Sequence, residues 1–181
     1  EQGAQHSQAL HATFSHIPGL RVVMPSSVED ARNMLIDSVL CPDPVLFIDD
    51  RWLYDQEENI GPIREQKLSL QGPECIKSGK DLTIVSSSYS TLLAKKAEKL
   101  LDKKNISAEL IDLRILSPLD PKLIIKSVKK TGRLLVLDGG CKTYGVSGEI
   151  IASVCESISP FKLKKPPFRL ALPDSPAPTS R

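Results

Sequence analysis

Aromatic residues are scarce in this sequence: four Phe, three Tyr and one Trp, 4% of 181 residues. No run interleaves them with Arg or Lys, which argues against a stacking platform for single-stranded nucleic acid. No apolar run approaches the ~18–20 residues a membrane span needs. The opening Glu1-Gln2-Gly3-Ala4-Gln5-His6 lacks the basic start and apolar stretch of a secretory signal. Cysteine is sparse and unpaired in pattern: Cys41, Cys75, Cys141 and Cys155 form no CxxC and lie far apart. They read as reduced intracellular thiols, not as a disulfide frame or a zinc site. Histidine is confined to His6, His11 and His16. A spacing of five residues turns successive helical side chains by ~140°, so the three cannot share one face, and no metal site is expected from them.

At 40% hydrophobic and 25% charged, the composition is that of a globular protein of one domain or slightly more. The formal net charge of +2 conceals a division. Residues 1–75 carry 5 basic and 12 acidic side chains, and residues 76–181 carry 19 and 10. Two pieces with different neighbours are implied.

The first piece holds two strand-like runs, Arg21–Pro25 and Pro44–Ile48, the second apolar enough to suggest burial on both faces. Between them Ser26 and Glu29 form a capping-box pattern, followed by Ala31, Met34, Leu35 and Val39 at helical spacing. Two strands cannot make a stable layer alone. From Asp49 to about Gly79 periodicity collapses among acidic, Gly and Pro residues, which reads as a surface connector. Beyond it strands and helices alternate: Leu82–Val85, a helix over Thr91–Lys104, Ala108–Leu113, a helix entered through Asp120-Pro121 and ended at Gly132, Leu134–Leu137, a helix striped by Val146, Ile150, Ile151, Val154 and Ile158, and Phe168–Leu172. On the Thr91–Lys104 helix, Leu93, Ala97, Leu100 and Leu101 make the expected buried stripe. This order predicts an α/β fold, a doubly wound and mostly parallel sheet. The polar start and the Pro-rich end read as a fragment or one piece of a subunit.

Between the Leu134 strand and the next helix lies a Gly-rich loop, Asp138-Gly139-Gly140-Cys141-Lys142-Thr143-Tyr144-Gly145-Val146-Ser147-Gly148. Such a junction can hold an anion on helix N–H groups, but its spacing fits neither the P-loop nor GxGxxG. A tight crossover turn is the simpler reading. Lysines such as Lys95, Lys96, Lys99, Lys103 and Lys104 read as solvated helix faces, with a docking surface for an acidic partner as the alternative. His6, in the polar cluster Gln5-His6-Ser7-Gln8, is the most interesting single acid or base.

Gly3-Ala4-Gln5-His6-Ser7-Gln8 and His16-Ile17-Pro18-Gly19-Leu20-Arg21-Val22-Val23-Met24-Pro25-Ser26 resemble the beta subunit of the thiamine-dependent decarboxylating component of 2-oxoacid dehydrogenase complexes. Asp43-Pro44-Val45-Leu46-Phe47, Ile111–Asp120 with its Ser117-Pro118-Leu119-Asp120, Tyr144–Ile150 and Leu172-Pro173-Asp174-Ser175-Pro176 continue the likeness in order. The resemblance implies that residues 1–50 are the last part of a transketolase-type pyrimidine-binding domain, 51–79 a connector, and 80–181 a transketolase C-terminal domain. It implies oxidative decarboxylation of a 2-oxoacid and acyl transfer to a lipoyl acyltransferase. His6 would be the catalytic residue, in proton transfer or in orienting substrate and lipoyl group, with Gln5 and Ser7 beside it. The implied partners are an alpha subunit and a second beta subunit. The implied cofactor is thiamine diphosphate, with Mg2+ on the partner subunit.

The thiamine site is expected to be incomplete here. The family's diphosphate pattern, GDG followed downstream by NN, is absent, and the glutamate that contacts the aminopyrimidine is expected upstream of Glu1. A structural potassium ion of related subunits would lie near Ser38–Asp43, where Cys41 and Pro42 depart from the usual residues. The expected location is bacterial cytoplasm or mitochondrial matrix, with no nucleic acid and no membrane. Two other readings stand beside this one: a non-catalytic assembly and docking module, or part of a transketolase or deoxyxylulose-phosphate synthase-like enzyme.

Overall fold

The computed structural model describes residues 7–64 and 66–176. A five-residue helix α1 (His11–Ser15) leads through Gly19, at φ +84°, into strand β1 (Arg21–Val23). Helix α2 (Val28–Val39) follows, capped by Ser27, whose hydroxyl accepts Asp30 N–H at 3.1 Å. The capping-box pattern pointed one residue earlier. Ser26 does not cap because its hydroxyl donates to Asp112, 86 residues away. The expected apolar row of α2 is also displaced: Met34 and Asp37 are buried, whereas Leu35 and Val39 lie exposed. Strand β2 (Val45–Phe47) pairs in parallel with β1 in the register Arg21↔Val45, and it is half-buried throughout instead of buried on both faces.

These two strands are completed from the second half of the chain. Strand β6 (Ile115–Ser117) pairs antiparallel with β1, with a bulge between Val22 and Val23, giving a sheet ordered β2-β1-β6. The region read as a connector is held down at several points. Arg32 donates to the Gly61 and Pro62 carbonyls at 2.8 and 3.2 Å, Glu58 accepts Val28 N–H at 3.1 Å, and buried Asp37 accepts Gln66 N–H at 3.2 Å and the Gln71 side chain. Leu68 fills the space beside Val23, Met34 and Ile115. Its last part is not irregular: Glu74–Lys77 form strand β3, the edge of the second sheet.

That sheet is ordered β3-β5-β4-β7-β8, from β4 (Leu82–Ser86), β5 (Ala108–Asp112), β7 (Leu134–Cys141) and β8 (Phe168–Leu172). All pairs are parallel except β3–β5. Helices α3 (Ser88–Asp102), α4 (Lys122–Thr131) and α5 (Val146–Ser157) connect them, so the predicted doubly wound layer is present. Gly132 ends α4 in the left-handed conformation, φ +70°, as its position predicted. On α5 the stripe Val146, Ile150, Val154 and Ile158 enters the main core. On α3 the expected stripe holds only at Leu101, which packs against Ile84, Ala94, Ala108 and Leu110. Thr91, Ala94 and Glu98 face inward, and Leu93, Ala97 and Leu100 face out. Thr91 and Glu98 can take the inner row because both are matched: Thr91 Oγ1 pairs with Ser86 and Asp112, and Glu98 with Lys77 from β3.

The two sheets meet at Arg114, in the turn between β5 and β6. It adopts φ +59°, and its side chain is 13% exposed. Its guanidinium reaches Glu74 of β3, Asp30 of α2 at 3.5 Å and Gln71 at 3.3 Å, while its carbonyl accepts Met24 N–H at 2.7 Å. Burial raises the Asp30 carboxyl above its ordinary value, against the opposing pull of Arg114. Arg114→Ala leaves Asp30 and Glu74 without their shared counter-charge and should cost about 2–3 kcal/mol in urea unfolding. Arg114→Lys should recover only part of this, since an ammonium cannot fork between three partners. A loss under about 0.5 kcal/mol, the range of unremarkable surface changes, would show that this joint contributes little.

Candidate functional site

Strands β4 and β7 are neighbours, yet β4 leads through α3 to β5 on one side and β7 leads through α5 to β8 on the other. The crevice at their carboxyl ends is the switch point at which open α/β sheets most often bind ligands. Here the molecule supplies its own anion. Asp138, near the end of β7, accepts Gly140 N–H on Oδ1 and Ser147 N–H on Oδ2, both at 2.9 Å, the second from the first turn of α5. The positive end of a helix favours a carboxylate at that place. Close packing enforces the turn: a Cβ at Gly145 would collide with the Cys141 carbonyl oxygen and with Asp138. The Gly-rich loop is therefore a tight crossover closed on a carboxylate, and not a cradle for a bound phosphate.

The third partner of Asp138 comes from the other end of the chain. His11 Nε2 lies 3.0 Å from Asp138 Oδ1, both side chains being 5% exposed or less. The His11 ring packs on Gly140, where an added Cβ would lie 3.0 Å from Cε1. Burial by itself would raise the Asp138 carboxyl, but hydrogen bonds from His11, Gly140 and Ser147 outweigh it and hold it at about 2.

A second buried carboxylate behaves oppositely. Asp112, at the end of β5, takes hydrogen bonds from Ser26, from Thr91 Oγ1 at 3.3 Å and from Arg114 N–H at 3.3 Å. Burial dominates and pushes its carboxyl up to about 6, with the Ser26 hydrogen bond working against it and the nearby Asp30 charge adding to the rise. The folded state thus binds this proton more tightly than the unfolded chain. Its contribution is complete below about pH 4 and is lost as pH rises from 4 to 6, a swing of about 3 kcal/mol. Asp112→Asn should abolish that loss and stabilise the protein by about 1–2 kcal/mol at pH 8, since the amide oxygen can accept from Thr91 and Arg114 while its N–H₂ faces Ser26. Denaturant titrations of both chains at pH 4, 6 and 8 measure it; parallel curves would reject the assignment.

Of the residues singled out from sequence, Ser7 is exposed, in irregular chain just before α1, while Gln5 and His6 lie outside the described residues. Ser38, in the segment compared with a potassium site, donates its hydroxyl to the Met34 carbonyl, and Asp43 pairs with Arg21 at 2.8 Å. Among the described residues no group of three His, Cys, Asp or Glu side chains could hold a metal ion. The lysines of α3 are mostly solvent-facing. Trp52 stacks on Tyr89 with ring centroids 5.8 Å apart, laying the connecting segment over the start of α3. The residues that sequence reasoning missed are His11 and Asp138 as a pair.

A family model described as "Transketolase, C-terminal domain" matches residues 74–181, more than half of the chain. The chain belongs to the transketolase C-terminal domain family. The matched span of this transketolase C-terminal domain begins at β3 and takes in the whole five-stranded sheet. Over nearly its full length the chain is also similar to 2-oxoacid dehydrogenase beta subunits. It is 40% identical over 184 residues to the mitochondrial pyruvate dehydrogenase E1 component subunit beta-1 of Arabidopsis thaliana, covering 97% of this chain and 49% of that one. Against the pyruvate dehydrogenase E1 component subunit beta of Acholeplasma laidlawii the figures are 36% over 176 residues, 97% and 54%. Against the mitochondrial 2-oxoisovalerate dehydrogenase subunit beta 2 of Arabidopsis thaliana they are 35% over 176 residues, 97% and 49%. The resemblance read from the sequence is thereby borne out, and the chain spans about half the length of the curated relatives it matches. A solved structure titled "Split gene transketolase, inactive beta4 tetramer" superimposes with a TM-score of 0.75 over 96% of this chain and 55% of that one. At 22% identity it supports the fold alone.

Proposed function

We propose that this chain is part of the beta subunit of a thiamine-dependent 2-oxoacid dehydrogenase, acting on pyruvate or a branched-chain 2-oxoacid and passing the acyl group to a lipoyl acyltransferase. The observation that carries this reading is 35–40% identity along 97% of the chain to beta subunits of such enzymes. The Gln5-His6-Ser7-Gln8 motif supports it. His6 is the residue that holds or moves a proton, or orients substrate and lipoyl group, with Gln5 and Ser7 beside it. Residues 1–50 would then close a pyrimidine-binding domain, with 51–79 the connector and 80–181 the C-terminal domain.

The described residues do not themselves fit thiamine diphosphate. The Gly-rich strand-to-helix turn of β7 and α5 is filled by the Asp138 carboxylate, which would repel a diphosphate. The diphosphate and its Mg2+ would be held by an alpha subunit and the aminopyrimidine by the pyrimidine-binding domain that residues 1–50 close, in an assembly that includes a second beta subunit. Bacterial cytoplasm or mitochondrial matrix suits the four free cysteines and the relatives from both settings. The test combines a beta subunit containing this chain with its cognate alpha subunit and measures thiamine-dependent decarboxylation of pyruvate and of 2-oxoisovalerate, with acyl transfer to a lipoyl domain. Turnover of either acid is expected. Binding to the alpha subunit without turnover of either would replace this reading by a docking module.

A further inference from the structure

The row that hydrophobic spacing marks for burial on α3 is left uncovered by the fold. Leu93, Ala97 and Leu100 stand at i, i+4 and i+7, yet they face away from the sheet, with Leu93 44% and Leu100 61% exposed. Tyr89, at i−4 from Leu93, lies on the same side of the helix and stacks on Trp52, which is 62% exposed. An apolar strip therefore runs along the outer side of α3 from Trp52 to Leu100. Exposed strips of this kind, rimmed by charge, mark surfaces that another protein covers.

The charges at its two ends indicate which protein. The acidic part of the connector begins beside the start of α3, where the Trp52–Tyr89 stack holds it. Residues 49–58 carry Asp49, Asp50, Asp55, Glu57 and Glu58 against a single basic residue, Arg51. At the far end Lys95, Lys96, Lys99, Lys103 and Lys104 crowd the last turns, while the acidic residues among them, Glu98 and Asp102, already hold Lys77 of β3. Acid at one end and base at the other make the strip complementary to itself turned end for end. We propose that the outer face of α3 is where a second copy of the beta subunit docks, the two α3 helices antiparallel about a two-fold axis near Ala97. An isologous contact of this kind brings each patch of one copy onto the opposite patch of the other. Leu93 meets the partner's Leu100, and the small Ala97 lets the helices approach closely where they cross. Lys103 and Lys104 come to the partner's Trp52, Asp49 and Asp55. Lys96 lies beside the axis near its own counterpart and turns its ammonium to solvent, which keeps the contact modest outside the larger assembly. From the function proposed above this contact takes only the presence of two beta subunits, and to that extent it rests on that reading.

Cysteine placement in the complete beta subunit, assembled with its alpha subunit, tests the contact, with the exposed Cys75 and Cys155 replaced by Ser to lower the background. The double variant Leu93→Cys, Leu100→Cys should give a beta–beta disulfide on mild oxidation, and each single variant about 10-fold less, because only unlike positions face each other. Reversing the lysine end with Lys103→Glu, Lys104→Glu should weaken beta–beta association about 10-fold in sedimentation at low salt, and adding Asp49→Lys, Asp55→Lys to the same chain should restore it to within about 3-fold. A disulfide from either single variant as strong as that from the double would mean a parallel or unrelated contact and overturn the proposal. So would a link to the alpha subunit in place of the beta–beta one. Weakening by lysine reversal that acid reversal does not repair also overturns it. Leu93 and Leu100 are exposed in the single chain, so their replacement leaves its core intact. Should the cysteine double variant still fail to assemble, the charge swap decides: restoration supports the contact, and no restoration overturns it. The link needs no turnover. A beta–beta link in an enzyme that decarboxylates neither acid keeps the contact and removes the proposed function, whereas turnover without the link keeps the function and removes the contact.

Discussion

Replacing His6 by alanine is expected to lower turnover of the complete enzyme about 100- to 10,000-fold, the range that a positioned acid or base contributes. The melting temperature should move by no more than about 2 °C. The expectation rests on the role proposed for His6 through the resemblance carried by Gln5-His6-Ser7-Gln8. Four polar residues in succession have little apolar surface to give to a core, so the small expected effect on stability follows from the run itself, and the loss of turnover follows from the role proposed through the resemblance. Imidazole is the side chain whose charge changes between pH 5 and 8 without help from its surroundings, which suits proton movement at neutral pH. His6→Gln separates the two roles given to it. An amide can orient a substrate or a lipoyl group but cannot accept a proton, so recovery by Gln would assign orientation, and failure to recover would assign proton transfer. A large fall in thermal stability with normal turnover would count against both.

What the sequence made legible is what local periodicity can carry. Helix α5 was found with its buried face because Val146, Ile150, Val154 and Ile158 are apolar at helical spacing. The end of helix α4 was placed correctly because Gly132 fits the left-handed residue that ends it, whereas its start falls at Lys122, one residue after the expected Pro121. The face of α3 was misread because its inner row includes Thr91 and Glu98, whose partners come from β4, β5 and β3. Hydrophobic pattern alone then selects the solvent-facing leucines. The cap of α2 was misplaced for a related reason. Ser26 and Ser27 each precede an acidic residue by three, and the choice between them is made by Asp112 from the second sheet. Strand β6 escaped notice because three residues carry no period, and its partner β1 lies in the other half of the chain. The same distance hides His11 and Asp138: each looks ordinary beside its own neighbours, and only the fold brings them to 3.0 Å. The charge division, in turn, proves to be bridged. Arg114, from the basic part, holds Asp30 and Glu74 from the acidic part.

Asp138→Ala should be the most destabilising single change, at about 3–5 kcal/mol in denaturant unfolding. Removing the carboxylate leaves three donors facing a space that water does not readily reach: His11 Nε2–H, Gly140 N–H and Ser147 N–H. Each unpaired buried donor costs about 1–3 kcal/mol, and the α5 N-terminus loses the charge that opposes its dipole. Asp138→Asn should cost less, since the amide oxygen can still accept from His11 and Gly140 while its N–H₂ is set against Ser147 N–H. The pH dependence gives an independent check. The folded carboxyl titrates at about 2 against 3.8 for an ordinary aspartate, so the folded state disfavours its protonation. The stabilisation is complete above about pH 4 and is lost as pH falls from 4 to 2, by about 2 kcal/mol. Asp138→Asn should lack this fall. Asp112 acts in the adjoining window with the opposite sign, its contribution fading between pH 4 and 6. The wild type should therefore be most stable near pH 4 as far as these two groups decide it. The double variant Asp112→Asn, Asp138→Asn should flatten both flanks. A flank that survives its own substitution would assign that titration to another group and remove the corresponding carboxylate from the account.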